Sequence, residues 1–358
     1  MCATDDPADV PPVEALPSAA EWRGEVLPLE PVDELSVLTI CDNTADMLLP
    51  DQGPATRMSL ARMRRESPGL EAPTLVEGTV PDAPLAQQGF SALIEVRKDS
   101  QVHRLLFDTG MTPDGCAGNL RRLGKDPADI EAIVCSHGHF DHTTGLSGLI
   151  GRLGRASLPV LIHPGFWNRR RLAIPGGEPL ELPTTSRRAL AEADFDIIEQ
   201  RQPSFLHNRS VLITGEVDRV TGFEKGFPAH QAWRGSGWEP DPLILDDQAL
   251  IANVAGRGLV VLTGCGHAGV INICHYAQRL TGVGKLHAVI GGFHLTGPMF
   301  EPIIDDTVSA LEQLTPDVIV PAHCTGWKAT HAIARHLPGA FIQNSVGTTF
   351  RLTGTAAA

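Results

Sequence analysis

What this 358-residue chain lacks narrows its class before any motif is read. No apolar run approaches the roughly 18 residues of a membrane-crossing helix. No basic start followed by an apolar stretch marks a secretion signal. The expectation is a cytoplasmic protein with no membrane partner. Positive charge is short: 29 Lys and Arg face 42 Asp and Glu, a formal net charge of −13. Phosphate backbones need clustered cations, so no nucleic-acid partner is expected. The short arginine clusters at Arg62–Arg65 and Arg169–Arg171 read as solvated surface. Seven cysteines (Cys2, Cys41, Cys116, Cys135, Cys265, Cys274 and Cys324) are odd in number and scattered. That suits reduced thiols rather than a disulfide framework. G-x-S-x-G and P-loop motifs are absent, and Gly176-Gly177 and Gly291-Gly292 lack dinucleotide-binding spacing.

What is present centres on His137-Gly138-His139-Phe140-Asp141-His142, directly after the apolar stretch Ile130–Ser136. Imidazole and carboxylate are donors for zinc, with manganese or iron(II) also open to them. If Ala132–Cys135 is a buried strand, the run lies on the loop leaving its carboxyl end. His137 and His139 would then serve one ion, and Asp141 and His142 a second. Other apolar runs end similarly. Leu259–Thr263 breaks at Gly264-Cys265-Gly266-His267, where glycines allow a tight turn, and Val318–Val320 leads to His323-Cys324. His267 is thus a candidate third ligand beside His137 and His139, and His323 completes a second set with Asp141 and His142. Asp108, after the strand His103–Phe107, is expected to hold the ligand loop by hydrogen bonds. His294 follows a glycine pair and is a candidate for substrate contact or proton relay. His163 reads as surface or pocket entrance.

Periodicity gives strands at Leu35–Cys41, Phe90–Val96, His103–Phe107, Ala132–Cys135, Leu158–Ile162, Val211–Thr214, Ala249–Val254, Leu259–Thr263, Leu286–Ile290 and Val318–Val320, with a last one near Phe341. Helices are expected at Cys116–Leu123, Thr144–Arg155, Val270–Leu280, Ile303–Leu314 and Trp327–His336, and a short one near Met58–Arg65. Buried strands alternating with helices imply sheets flanked by helices. Residues 165–210 show no clear period. Residues 44–86, with six prolines, read as an excursion from the core, a lid or a homodimer contact.

The HGHFDH run preceded by Leu105-Leu106-Phe107-Asp108-Thr109-Gly110 resembles the metallo-β-lactamase superfamily. That resemblance implies an α/β (α+β) fold, a four-layer αββα sandwich with two divalent metal ions, zinc foremost, at one edge of its sheets. It places this domain at residues 33–358, with an insertion at about 51–85 and a poorly ordered arm at 1–32. Gly89–Ile94, Thr214–Val217, Asp246–Leu250, Thr263–Gly269, Ile290–Leu295 and Ala322–Gly326 together resemble a narrower branch. It carries the name of the dihydropterin ribofuranosyl-aminobenzene phosphate synthases. The chain departs from the broad superfamily where a typical member has a histidine and a bridging aspartate. Asp246-Asp247 and Cys265 stand there instead. Either Cys265 ligates with His267 behind it, or His267 supplies the missing imidazole and Cys265 packs underneath. The second is preferred, with Asp247 orienting a ligand through its other ring N–H.

A metal pair lowers the pKa of a water towards neutrality for attack on an ester, amide or phosphodiester centre. The leading expectation is a metallo-hydrolase acting on a small-molecule ester, lactone or phosphoester. The branch name raises a transferase on a pterin-like substrate as an alternative. A non-catalytic metal-binding sensor is a third reading, against which the intact HxHxDH run counts.

Overall fold

The central strands are continuous apolar runs, such as Leu259–Leu262 and Val318–Val320, so each sheet has two faces to bury. The computed structural model describes residues 26–67, 69–153 and 158–355. Its first large sheet runs, in spatial order, Phe195–Glu199, Leu158–Ile162, Ala132–Val134, Gln101–Phe107, Ser91–Lys98, Glu34–Cys41, Thr349–Thr353 and Ala55–Thr56. Its second runs Ser204–Leu206, Val211–Ile213, Leu250–Val254, Gly258–Thr263, Leu286–Gly292 and Val318–Ala322, with Pro31–Val32 also pairing with Leu250–Val254. Val37, Ile94, Leu105, Phe107 and Val134 of the first sheet meet Leu250, Val260, Leu262, Ile290 and Val320 of the second. Each such side chain contributes roughly 1.5–3 kcal/mol when taken from water.

The outer faces are covered by helices. Cys116, Ala117 and Leu120 of helix Gly115–Arg122 pack on Leu106 and Ile133 of the first sheet. Helices Val270–Thr281, Ile304–Leu314 and Trp327–His336 cover Val261, Val289 and Ile319 of the second. The result is the expected four-layer αββα sandwich. Among the described residues, no helix is long and apolar enough to cross a membrane, and the six cysteines there are all free and buried.

Each sheet contains a run of parallel strands, which in the first also takes in Phe195–Glu199. Gln101–Phe107, Ala132–Val134 and Leu158–Ile162 run together in the first sheet. Gly258–Thr263, Leu286–Gly292 and Val318–Ala322 run together in the second. Parallel strands release their chains at one end, and ligand sites of layered α/β proteins gather outside such carboxyl ends.

Most expected elements appear with ends shifted by a residue or two, and three readings are corrected. The helix expected at Thr144–Arg155 is only two short turns, Phe140–Thr143 and Leu146–Leu149. Gly145 and Gly148 there press on backbone: an added Cβ would lie 1.9 Å from the Thr109 carbonyl oxygen and 2.0 Å from that of Pro113. Gly151 then turns left-handed at φ 75°, and residues 154–157 lie outside the described set. Phe341 makes only an isolated bridge to Ile319, and the last strand is Thr349–Thr353. The aperiodic stretch 165–210 supplies Phe195–Glu199 to the first sheet, Ser204–Leu206 to the second, and Arg170–Leu172 and Leu180–Leu182 to a four-stranded sheet. Short strands of three residues leave too little alternation to read.

Of the 1–32 arm, residues 1–25 lie outside the described set, and Pro31–Val32 is a strand of the second sheet. Within 51–85, Ala55–Thr56 extends the first sheet, and the buried Arg57 donates to the Gln343 carbonyl and to Thr348 Oγ1. Gly69–Glu71 and Thr79–Pro81 pair as a separate two-stranded sheet.

Candidate metal centre

Five of these parallel strands deliver candidate site residues from their carboxyl ends. Phe107 leads to Asp108 and Val134 to the histidine run; Thr263 leads to Cys265 and His267, Gly292 to His294, and Ala322 to His323. Asp108, His294 and His323 have left-handed backbone, at φ 55°, 47° and 48°. Such a conformation strains a residue with a Cβ by about 1–3 kcal/mol, and it persists where surrounding structure holds it.

Three overlapping donor groups result, the third made of Cys265, His267 and His294. His137, His139 and His267 offer ring nitrogens that lie within 4.8 Å of one another, and so do the ligand atoms of Asp141, His142, Cys265 and His323. In the first group His137 Nε2 is 2.9 Å from His139 Nδ1, which is 3.2 Å from His267 Nε2. The outward nitrogens are held elsewhere: His137 Nδ1 by Ser136 Oγ at 2.9 Å, and His139 Nε2 by His230 Nε2 at 3.0 Å. Burial, reinforced by neighbouring positive groups, holds all three rings well below the usual imidazole pKa. Neutral imidazoles with converging lone pairs fit a borderline cation between them.

The second group is organised by carboxylates. Asp108, fully buried, accepts from the Ser136 N–H at 2.6 Å and the Ser136 hydroxyl at 2.7 Å. It also takes His142 Nδ1–H at 2.7 Å, which leaves His142 Nε2 facing Cys265 Sγ at 3.2 Å. Burial alone would lower the His142 pKa, but Asp141 and Asp108 outweigh it and push it up to about 9. Burial would raise Asp141, yet His142 and His323 hold it well below the carboxylate range. The proton on His142 thus stands where a cation would balance the same charges. His323 Nε2 approaches Asp141 Oδ2 at 3.4 Å, but both ring nitrogens are buried without a hydrogen-bond partner. Such orphaned atoms are costly unless something else binds them, and they fit the missing ligand. The His323 backbone is clamped, its N–H by Asp42 Oδ1 at 2.8 Å and its carbonyl by Asn43 Nδ2 at 2.8 Å.

Cys265 and His267 stand with different members of the histidine run and also share a group with His294. His267 stands with His137 and His139, while Cys265 stands with Asp141, His142 and His323. Burial and the neighbouring Cys324 push the Cys265 thiol up, whereas a bound cation favours thiolate. Asp247 is not placed as expected. Its Oδ2 accepts the Ala268 N–H at 2.8 Å, so it holds the main chain of the His267 loop rather than an imidazole. Burial pushes it up to about 7, and its Oδ1 has no partner. His294 stacks near His267, ring centroids 4.2 Å apart, with Phe227 and Phe300 against it and a buried, unpartnered Nδ1. A cavity of about 460 Å³ opens beside these rings, lined by Phe223, Lys225, His267, His294, Met299 and Phe300. A larger one, about 1000 Å³, lies along helix Gly115–Arg122 with none of the donors. Its Arg121, Arg122 and Arg152 are already paired with Asp82 and Asp114.

Several supporting residues escaped the sequence reading. His230 positions His139 and is itself held by the Asp241 carbonyl at 3.0 Å. Asp246 accepts the Gly138 N–H at 2.8 Å and pairs with Arg170 at 2.5 Å. Arg170 is only 2% exposed, so that arginine cluster is not all solvated surface. Burial would raise Asp246, but Arg170 keeps it below the usual range. Glu224 caps helix Val270–Thr281 by accepting the Ile271 and Asn272 N–H groups at 2.9 and 2.8 Å. His163 is neither surface nor entrance: it is buried, bound to Glu216 at 3.1 Å and accepting the Gly165 N–H. A signal existed only for Asp246, which lies in a quoted motif.

Comparison with known proteins agrees with this geometry. The family model described as the metallo-beta-lactamase superfamily matches residues 86–271. The chain is 31% identical over 253 residues to a 7,8-dihydropterin-6-methyl-4-(beta-D-ribofuranosyl)-aminobenzene-5'-phosphate synthase of Methanocaldococcus jannaschii, covering 68% of this chain and 83% of that protein. It is 30% identical over 259 residues to an uncharacterized protein of the same organism, covering 71% and 90%. A solved structure described as a metal-dependent hydrolase of the β-lactamase superfamily shares the fold at TM-score 0.64 and 22% identity, over 89% of this chain and 99% of that one. With fold, motif and family match in agreement, the chain belongs to the metallo-β-lactamase superfamily.

Proposed function

We propose that this protein is a metal-dependent hydrolase with a dinuclear centre, zinc foremost, acting on a small-molecule ester, lactone or phosphoester. The observation that carries the reading is the convergence of seven buried or nearly buried donors into two adjoining groups, His137, His139 and His267 beside Asp141, His142, Cys265 and His323. Two bound ions would supply Lewis acidity and a water acidified towards neutrality. The chain's own residues do the rest. Asp108 fixes the His142 tautomer, and His230 fixes the orientation of His139. His294, at the cavity wall, is placed to contact the reacting oxygen or hold a proton for the leaving group. Phe223, Phe300 and Met299 give the cavity an apolar wall that excludes water from the substrate. We assign the protein to a reducing cytoplasm, in keeping with its free thiols, with no nucleic-acid or membrane partner, and a homodimer as its assembly.

A transferase reading on a pterin-like phosphate is favoured by the named synthase at 31% identity. Both readings predict at least two metal ions per chain by elemental analysis of protein purified without chelator. Both also predict that His142→Ala and His323→Ala lose turnover while staying folded. A screen of phosphodiesters, lactones, thioesters and pterin phosphates separates them. A metal-free, folded protein of undiminished activity would refute both.

A further inference from the structure

One more donor group lies outside the candidate centre among the described residues: His103, Glu131 and His207, whose ligand atoms are all within 4.8 Å of one another. His103 lies on Gln101–Phe107 and Glu131 immediately precedes Ala132–Val134, both in the first sheet. His207 follows Ser204–Leu206, the edge strand of the second sheet. The group therefore bridges the two sheets. It also lies at the opposite end of the sandwich from the candidate centre, because His103 and Glu131 stand at the amino ends of strands whose carboxyl ends lead to Asp108 and His137. Four residues of strand, on the order of 13 Å, separate His103 from Phe107.

The donors are organised rather than merely near. Glu131 Oε1 accepts the Arg104 N–H at 3.2 Å, and its own N–H is held by the Arg104 carbonyl at 2.9 Å, so the carboxylate is fixed to the sheet. Glu131 Oε2 faces both rings, 2.9 Å from His103 Nδ1 and 3.7 Å from His207 Nδ1. The two imidazoles stack with centroids 4.1 Å apart. His207 Nε2 is buried with no hydrogen-bond partner. The loop that presents this ring is strained: His207, Asn208 and Arg209 are all left-handed, at φ 47°, 52° and 66°. L-residues avoid three such conformations in a row, and strain of this kind marks backbone held for a purpose. The three side chains remain 14–30% exposed, so ions and water reach them.

We propose that His103, Glu131 and His207 form a separate metal site, taking one divalent first-row transition ion, zinc(II) first, and tying the two sheets together. Two imidazoles and one carboxylate are a donor set that zinc accepts, with water completing the shell. An ion bound only to the folded chain adds to its stability.

The test is equilibrium dialysis of chelator-stripped full-length protein against a fixed free zinc concentration, with bound zinc counted by mass spectrometry. Wild type is expected to bind one zinc per chain more than His103→Ala or His207→Ala, however many ions the candidate centre takes. Zinc should also raise the melting temperature of wild type further than that of either variant. Glu131→Gln preserves shape, loses the anionic donor, and guards against an alanine variant that fails to fold. Equal zinc content in wild type and all folded variants would overturn the proposal and leave the group as a hydrogen-bonded contact between sheets.

Discussion

Replacing Asp108 with Asn tests whether the second donor group is set by a tautomer rather than by position alone. Asp108 Oδ1 accepts the Ser136 N–H at 2.6 Å, a donor that cannot become an acceptor, so the Asn oxygen must stay there. The Asn amide nitrogen then takes the place of Oδ2, facing Ser136 Oγ and His142 Nδ1, both at 2.7 Å. Ser136 can rotate its hydroxyl to accept. His142 can accept only by moving its proton to Nε2, the nitrogen that faces Cys265 and would hold the ion. Loss of such a supporting carboxylate weakens metal binding by about 10- to 100-fold, or roughly 1.4–2.8 kcal/mol at about 1.4 kcal/mol per decade. Ser136→Ala is the contrast. It removes one hydroxyl but leaves the His142 tautomer intact, and should cost about 1 kcal/mol of stability without changing the affinity of the second group. Zinc titration of apoprotein against a competing chelator reads both variants. If Asp108→Asn binds both ions as wild type does, the tautomer argument fails.

Three further perturbations probe the frame around the centre. Asp246→Ala strands the buried Arg170 without its partner and should cost about 3–5 kcal/mol in urea denaturation; replacing both residues with apolar ones should cost less. In Gly264→Ala the new Cβ would lie 2.1 Å from Ser136 Oγ and 2.6 Å from Asp108 Oδ2. Overpacking of that kind costs about 1–3 kcal/mol, whereas Gly284→Ala, with open space around it, should be near neutral in the same melts. Burial would raise the Asp82 pKa, but Arg122 and Arg121 outweigh it and depress it. A folded pKa below the unfolded value of about 3.9 means stability present above that value and lost as pH falls through the folded one. Wild type should therefore exceed Asp82→Asn in melting temperature at neutral pH, with the gap closing in acid; a gap independent of pH would sink this account.

The residues legible in the sequence share a property: each either sits in one unbroken run, as His137 to His142 do, or directly follows a long apolar strand, as His267, His294 and His323 do. Periodicity finds long strands, and the first residues beyond them inherit a location. His230 had neither advantage. It lies on a four-residue strand in the small sheet, and its contact with His139 spans 91 residues of sequence. Arg170 looked like one member of a charged cluster. Its neighbours Arg169 and Arg171 instead reach towards the Trp233 and Trp238 rings, and only the middle residue turns inward to Asp246. A three-residue strand alternates its side chains too briefly for composition to reveal which one is buried.

The Cys265 and His267 question shows a different limit. Comparing positions assumes that a departure at one ligand site must be made good by a single substitute, so the two residues looked like rivals. Their spacing argues otherwise. Gly266 between them turns left-handed at φ 66°, and Gly264 before them leaves no room for a Cβ against Ser136 and Asp108. The loop therefore lies directly on the floor of the centre, with Cys265 beside Asp141, His142 and His323, His267 beside His137 and His139, and both within reach of His294. One short glycine-broken turn thus presents both side chains to the candidate centre. Asp246 and Asp247 hold the neighbouring loops, one carboxylate on the Gly138 N–H and the other on the Ala268 N–H. Asp246 has both carboxylate oxygens taken, one by the Gly138 N–H and the other by Arg170, so the loop that carries the histidine run is held from behind.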